Sequence, residues 1–141
     1  MVETPGYITN DALPGLGYSP DGCVNALGLL EIKCPKDHTH WHTLSRAEEN
    51  KDAQVTSPLL RVPTAYHGQL LHALLVSSDR DWIDFVSYSE AFPESLQIYI
   101  TRVKRADVAK ELDAYQAAVG TFLSEVDVMV SDIQRVANAS K

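Results

Sequence analysis

The chain has 141 residues, of which 45% are apolar and 22% are charged. This is the composition of a soluble globular protein, and the length fits a single domain, residues 1–141, with its own core. The net charge of −7 argues against a protein that coats nucleic acid with a basic surface. No apolar stretch is long enough to cross a bilayer and the first residues do not resemble a signal peptide, so we expect a cytoplasmic protein without a membrane partner.

The N-terminal part of the chain predicts short strands joined by turns. Residues 6–11 favour a short strand and are followed by a Pro- and Gly-rich turn at 13–17. Residues 18–24 and 29–34 predict the two strands of a β-hairpin, and the second strand ends at Pro35, which cannot donate a backbone hydrogen bond.

The middle of the chain predicts helices on either side of a loop. Residues 38–49 indicate a loose helix, and residues 51–62 a surface loop. A second helix is expected from Thr64, a candidate N-cap, to Val76. Its apolar residues recur on one side, at Leu70, Leu71, Leu74 and Leu75.

The C-terminal part predicts another hairpin and a long helix, which together with the earlier elements indicates an α/β protein. Residues 82–88 and 96–103 alternate in a strand-like way. The helix has Asp107 as its candidate N-cap, and we expect it to pack on the sheet without a catalytic role. Its apolar residues recur at spacings of three and four, at Val108, Leu112, Tyr115, Val119, Phe122, Val126, Val130 and Ile133.

The geometry of the first hairpin predicts a cluster of charged residues. If its turn is centred near Ala26, antiparallel pairing places Asp21 opposite Glu31, and Lys33 lies on the same face because side chains alternate along a strand. Two adjacent carboxylates are costly unless a cation lies between them, and oxygen ligands suit Mg²⁺ or Mn²⁺. The carbonyl of Ile32 is a further candidate ligand, and a nearby lysine can orient or deprotonate an attacking water.

The same register separates the two cysteines. Cys23 shares the face of Asp21, whereas Cys34 points to the other side, so a disulfide between them would require the strands to rearrange. Their spacing also matches no zinc pattern, and we expect two reduced thiols.

Two further sets of residues have alternative interpretations. Alternating histidines could present zinc ligands from a strand, but no cysteine or acidic pair follows at ligand spacing, so we interpret them as a surface segment: His38, His40 and His42. A compact basic cluster either meets phosphates near the site or forms the charged end of a strand: Arg102, Lys104 and Arg105.

Three motifs, taken together, resemble one nuclease family. They are GYSPDG at 17–22, LLEIKCP at 29–35 and YHGQ at 66–69. In this order they resemble the PD-(D/E)XK nucleases of the lambda-exonuclease, or YqaJ-like, branch. The resemblance runs from about Gly6 to about Arg105.

The resemblance implies roles for five side chains. In that family the SPDG aspartate and the glutamate of the E-(I/L)-K-C-P motif bind the metal, and these positions are Asp21 and Glu31 here. The lysine that positions the attacking water corresponds to Lys33. A tyrosine and a glutamine three residues apart on the next helix line the site, and they correspond to Tyr66 and Gln69.

The resemblance also implies a fold, an activity and partners. The fold is a restriction-endonuclease-like mixed β-sheet flanked by helices. Family members use Mg²⁺, for which Mn²⁺ can substitute, to digest the 5′ strand of linear double-stranded DNA, commonly as a ring-shaped trimer. They work with a single-strand annealing protein in phage-type recombination, inside a bacterial or phage-infected cell. They also carry a helical N-terminal region that grips DNA, and we expect this chain to lack it.

Two functional classes follow. The first is a metal-dependent DNA nuclease, specifically a 5′-to-3′ exonuclease on linear duplex, and Asp21, Glu31 and Lys33 favour it. The second is a non-catalytic or weakly active remnant that serves as a DNA-binding or assembly module. The net charge of −7 and the missing basic segment favour this second class.

Overall fold

A computed structural model of the chain describes residues 1–51 and 57–139. The main sheet is mixed, because one neighbouring pair of strands is parallel and the other pairs are antiparallel. It contains five strands side by side, β1 (Val2–Glu3), β4 (Gly22–Val24), β5 (Gly28–Lys33), β6 (Trp82–Tyr88) and β7 (Ile98–Lys104), with β5 and β6 as the parallel pair. A separate two-stranded ribbon pairs β2 (Ile8–Thr9) with β3 (Gly17–Tyr18).

Three α-helices complete the described structure, and they confirm the helical segments predicted from periodicity. They are α1 (Asp37–Glu49), α2 (His67–Val76) and α3 (Ala109–Ala139). Short 3₁₀ turns connect the elements, at Pro58–Arg61, Thr64–Tyr66, Glu94–Leu96 and Arg105–Val108. The predicted hairpin of the C-terminal part is also confirmed, because β6 and β7 are antiparallel neighbours.

The register predicted for the first hairpin is confirmed. Gly22 pairs with Leu30 and Val24 with Gly28, which centres the turn on Ala26. Asn25 opens this turn with φ of 52°, a left-handed conformation that asparagine adopts more readily than most residues. The pairing fixes which residues of β5 lie beside the end of β4.

The prediction of one continuous strand over residues 18–24 is wrong. Tyr18 ends β3 in the separate ribbon, and β4 begins at Gly22. Pro20 lies between them and lacks the N–H that a continuous ladder would need. Asp21 therefore lies at a bend just before the sheet, and the bend lets Tyr18 approach β5 from another direction.

The core lies on one face of the sheet, and alternation along the strands decides which residues reach it. Leu29 pairs with Ile83, and Glu31 pairs with Phe85, so these side chains share a face. That face is covered by the buried leucines of α2 and by one side of α1. The opposite face carries the exposed side chains of Ile32, Ile98 and Ile100.

Two expectations about the segment before α2 need correction. The predicted surface loop at 51–62 includes residues 52–56, which lie outside the described residues, but its end is not a surface loop. Leu59 and Val62 are buried, and the 3₁₀ turn Pro58–Arg61 holds them against the core. Thr64 is not the N-cap of α2, because it begins the 3₁₀ turn Thr64–Tyr66 and Tyr66 occupies the cap position of α2. Pro63 is the residue that precedes this turn.

The expectation that the C-terminal helix packs on the sheet is also wrong. The first part of α3 packs on α2, where the Tyr115 hydroxyl lies 3.4 Å from Nδ1 of His72. Leu112 is buried there, whereas Phe122 and Ile133 are exposed. Asp107 does not cap this helix but lies within the 3₁₀ turn Arg105–Val108 before it. Among the described helices, α3 included, none is long and apolar enough to cross a membrane.

Candidate active site

Glu31 lies at the centre of the predicted site and is almost completely buried, with 2% of its surface exposed. Three side chains donate hydrogen bonds to its carboxylate. The Tyr18 hydroxyl donates to Oε2, and the ammonium group of Lys33 donates to Oε1. Gln69 Nε2 also donates to Oε1, at 2.5 Å. A buried carboxylate is tolerated only when donors such as these compensate its lost hydration.

The residues that meet at Glu31 come from three separate elements. Lys33 follows Glu31 by two positions on β5, so strand alternation brings both to one face. Gln69 lies in the first turn of α2, and Tyr18 ends β3. The ring of Tyr66 lies beneath the site, with its centroid 5.6 Å from Lys33 Nζ and 5.4 Å from the ring centroid of Phe85. The structure therefore gathers Glu31, Lys33, Tyr66 and Gln69, as the sequence predicted.

Asp21 approaches the site from the edge of β5. Its Oδ2 accepts a hydrogen bond of 2.6 Å from the backbone N–H of Ile32. The N–H and C=O of one strand residue project from the same edge, so the carbonyl of Ile32 faces the side on which Asp21 lies. Because β4 begins only at Gly22, this stretch of the β5 edge lies beyond the paired strand. Asp21 is exposed and remains accessible from solvent.

Tyr18 is the member of the cluster to which sequence reasoning gave no role. Burial raises its pKa far above the ordinary value for tyrosine, and the hydrogen bond to Glu31 and the charges of Glu31 and Asp21 raise it further. The hydroxyl therefore stays protonated and acts as a donor to Glu31. Strand alternation could not have revealed this contact, because the bend at Pro20 separates Tyr18 from the hairpin register.

The oxygen atoms at the edge of β5 are suitable ligands for a small, hard cation. Asp21, Glu31 and the Ile32 carbonyl all offer oxygen atoms, which Mg²⁺ and Mn²⁺ prefer. No cluster of three or more His, Cys, Asp and Glu side chains suited to a metal occurs within residues 1–51 and 57–139. The candidate set therefore consists of two carboxylates and one carbonyl, and Mg²⁺ characteristically completes such partial sets with water and phosphate oxygens.

The three histidines of α1 do not form a site. Residues two apart on a helix point in different directions, and only His40 is buried. Its Nδ1 lies 2.8 Å from Oγ of Ser87, and its Nε2 donates to the carbonyl of Leu96 at 2.8 Å. The interpretation of a surface segment is wrong for His40, which joins α1 to the sheet. It holds for His38 and His42, which are exposed.

The basic cluster near the end of β7 is mainly structural. Arg102 makes two hydrogen bonds of 2.8 Å with Asp84, and its guanidinium lies 3.4 Å from the ring centroid of Trp82. Arg105 donates to the backbone carbonyls of Leu74, Ser77 and Arg80. These contacts support the interpretation of the cluster as the charged end of a strand.

The two cysteines are free, as expected, with Cys23 buried and Cys34 exposed. A groove of about 880 Å³ lies elsewhere, between α1 and β7, and is lined by Trp41, Leu44 and Tyr99 among others. None of the five predicted site residues lines it. Its lining combines apolar residues with charged ones such as Glu48, Glu49 and Arg61.

The fold and the site together define a class. A mixed five-stranded sheet that presents a buried glutamate, a lysine and a nearby aspartate, with a glutamine from the adjacent helix, is consistent with a restriction-endonuclease-like architecture. No protein-family model matches the sequence, and no curated protein matches it.

Solved structures are similar to the whole chain. The crystal structure of an alkaline exonuclease, LHK-Exo from Laribacter hongkongensis, matches 100% of this chain with a TM-score of 0.77 and 29% sequence identity. The structure of LHK-Exo in complex with dAMP matches with a TM-score of 0.74 at the same identity. In both cases the match covers 64% of the exonuclease chain, so this chain spans less than two thirds of that protein's length.

Proposed function

We propose that this chain is a metal-dependent DNA nuclease. Its active site is the carboxylate hairpin, the name we give to the β4–β5 hairpin with Asp21, Glu31 and Lys33. The observation that carries the proposal is the convergence of Tyr18, Lys33 and Gln69 on the buried carboxylate of Glu31. A core glutamate is costly, and a purely structural position would be filled more stably by an apolar residue. The likeness to an alkaline exonuclease over the whole chain supports the same function.

Asp21, Glu31 and the carbonyl of Ile32 would hold the cation. When bound there, a divalent cation supplies electrostatic stabilisation of the scissile phosphate and increases the acidity of water. The protein's part is to hold the ligands in place before the substrate arrives. Tyr18 fixes one oxygen of Glu31, and the backbone N–H of Ile32 fixes one oxygen of Asp21.

Lys33 and Gln69 act on the other oxygen of Glu31 and on the substrate. Both donate to Oε1, so each lies within reach of the space in which the scissile phosphate must lie for the reaction. The ammonium group of Lys33 orients the attacking water and offsets negative charge that develops on phosphorus. The face of the Tyr66 ring stabilises the positive charge of Lys33 through a cation–π contact.

The finer features implied by the family resemblance remain predictions. These are 5′-to-3′ polarity on linear double-stranded DNA, a role in phage-type recombination, a single-strand annealing protein as partner, and a homotrimer. The −7 net charge and the internal partners of Arg102 and Arg105 favour weak DNA binding by this chain. The expected weak DNA binding favours a second candidate function, that of a DNA-binding or assembly module with little or no turnover.

The test measures digestion of end-labelled linear duplex by the 141-residue chain in Mg²⁺, in Mn²⁺ and in EDTA. We expect cleavage that depends on the cation. Replacing Glu31→Gln should lower the rate about a thousandfold, because it removes a charged ligand while preserving the shape of the side chain. Glu94→Gln is the matched control, since Glu94 is exposed and belongs to the 3₁₀ turn Glu94–Leu96, which contributes no predicted site residue.

A second readout does not depend on turnover. Mg²⁺ should raise the melting temperature of the parent chain by mass action and should not raise that of the Glu31→Gln variant. Cleavage that persists in EDTA, or a Glu31→Gln variant as active as the parent, would contradict the proposal. Folded protein that binds duplex without cutting it would favour the assembly module instead.

A further inference from the structure

The strand ribbon that carries Tyr18 is small and separate from the main sheet. β2 and β3 form two residue pairs, Ile8 with Tyr18 and Thr9 with Gly17. A two-stranded ribbon of this kind has little stability of its own in water. The position of the Tyr18 hydroxyl on Glu31 therefore depends on the contacts that hold the ribbon to the rest of the fold.

Two side-chain hydrogen bonds connect this ribbon to α2. Nε2 of His72, on α2, lies 3.0 Å from the carbonyl oxygen of Gly17, which is the residue before Tyr18 on β3. Asn10, directly after β2, donates from Nδ2 to the carbonyl of Val76 at the end of α2, at 3.1 Å. The Asn10 bond holds the segment after β2, whereas the His72 bond holds the strand that reaches the site.

The partners of His72 determine which of its ring nitrogens carries the proton. A carbonyl oxygen only accepts, so Nε2 must be the donor to Gly17. In the neutral ring Nδ1 is then an acceptor, and the Tyr115 hydroxyl of α3 lies 3.4 Å from it. The two rings also meet edge to face, with their centroids 6.2 Å apart. α3 therefore restricts the orientation of His72 from the side opposite to the ribbon.

The helix α2 thereby acts on both carboxylate oxygens of Glu31. Gln69, in the first turn of α2, donates directly to Oε1 at 2.5 Å. His72 lies three residues further along, on the same side of the helix. It holds the carbonyl of Gly17, and the next residue, Tyr18, donates its hydroxyl to Oε2. A displacement of Gly17 would move Tyr18 with it, because the two residues are adjacent in a single short strand.

We propose that His72 is a positioning residue for the cation site. Its Nε2–H holds β3 in place, so that Tyr18 keeps Oε2 of Glu31 oriented towards the cation; this role rests on the proposed function of that site. The side chain of His72 is bonded to Gly17 and lies against Tyr115. An effect of His72 on Glu31 must therefore pass through Tyr18 or through a shift of α2 as a whole, and the experiment separates these two routes.

The first measurement needs no cation. His72→Phe keeps a ring and removes the N–H donor, and Glu31→Gln removes the charge that Tyr18 stabilises. Urea unfolding of each variant and of the double variant should show coupling, so that the double variant loses less in its urea midpoint than the sum of the single losses. In a Tyr18→Phe background the same losses should add. His72→Leu, which also lacks the donor, repeats the comparison if His72→Phe does not fold.

The second measurement is Mg²⁺ affinity, from titration calorimetry on the full 141-residue chain. His72→Phe should weaken Mg²⁺ binding about three- to tenfold, because residues that orient a metal ligand contribute about tenfold or more when they contact it directly and less when they act through another residue. In the Tyr18→Phe background the same substitution should change the affinity by less than about twofold. His72→Gln, which restores an N–H donor of similar reach, should recover most of the affinity.

A second histidine of α2 provides the matched control. Nε2 of His67 lies 2.8 Å from the carbonyl oxygen of Val62, so His67→Phe removes the same kind of bond from the same helix. Val62 is a buried core residue and belongs to neither β3 nor β5. His67→Phe should therefore lower the urea midpoint but leave the Mg²⁺ affinity within about twofold of the parent.

The outcomes distinguish this proposal from the proposed function. If His72→Phe is equally harmful with and without the Tyr18 hydroxyl, or if it changes Mg²⁺ affinity no more than His67→Phe does, His72 only stabilises the fold and the proposal is overturned. A parent chain whose Mg²⁺ binding is unaffected by Glu31→Gln would contradict the proposed function instead. The cation-free urea comparison would then decide by itself whether His72 acts on Glu31 through Tyr18.

Discussion

The carboxylate hairpin and the distal half of α3 are stabilised in opposite ways. In the hairpin, Glu31 is bonded to Tyr18 and to Gln69, which are 13 and 38 residues away along the chain. In distal α3 the side-chain hydrogen bonds are local, such as those from Ser124 to the carbonyl of Gly120 and from Ser131 to that of Asp127. The hairpin site therefore depends on the whole fold, whereas the described bonds of the helix depend on its own turns.

This difference predicts how each region responds to mutation. The hydrogen-bond partners of Glu31 come from several elements of the fold, so one substitution leaves a buried polar group without a partner. Along distal α3, one substitution removes an exposed side chain and changes little within a single chain. Three variants test the comparison, and they are ordered by expected effect.

The largest effect is expected for Lys33→Ala. It removes the ammonium group that pairs with buried Glu31, so we expect the free energy of unfolding to fall by about 1–3 kcal/mol. This value is lower than that for a fully buried pair, because Lys33 is partly exposed. Urea unfolding measures this change. The double variant with Glu31→Gln should recover part of the loss, since no charge is then left unpaired. Equal losses in the single and double variants would mean that Lys33 acts through packing alone.

A smaller effect is expected for Tyr18→Phe. It removes one donor to Glu31 and preserves the buried ring, so the free energy of unfolding should fall by about 1–2 kcal/mol. Mg²⁺ affinity measured by calorimetry should also weaken, because Oε2 of Glu31 is no longer held. Tyr7→Phe is the matched control, since Tyr7 directly precedes β2 of the same ribbon and is exposed. If both variants behave alike, Tyr18 does not position Glu31.

The smallest effect is expected for Ile133→Ala, measured at about 1 µM protein so that contacts between chains contribute little. With 66% of the isoleucine exposed, the free energy of unfolding should change by less than about 0.5 kcal/mol. Thermal unfolding followed by circular dichroism measures it. A loss above about 1 kcal/mol at this dilution would show that distal α3 packs within its own chain, and the contrast with the hairpin would no longer hold.

Some features of this protein follow from the sequence because they depend on local periodicity. Alternation predicted β6 and β7, and spacings of three and four predicted α2 and α3. The hairpin register also followed, because a short turn centred on Ala26 allows one pairing. That register placed Glu31 and Lys33 on one face before the fold was known, and the YHGQ motif brought in Tyr66 and Gln69 through the family resemblance.

Other features were decided only by tertiary structure. The contact between Tyr18 and Glu31 depends on the bend at Pro20, which ends the alternation on which sequence reasoning relies. His40 was misread because its partners, Ser87 and the carbonyl of Leu96, lie 47 and 56 residues away and become neighbours only when α1 packs on β6. A sequence pattern fixes which side of an element is apolar, but the surface that covers that side is chosen by competition among all the elements of the fold. For α3 that surface is α2 along its first turns, and not the sheet, because α2 already covers the sheet beneath it.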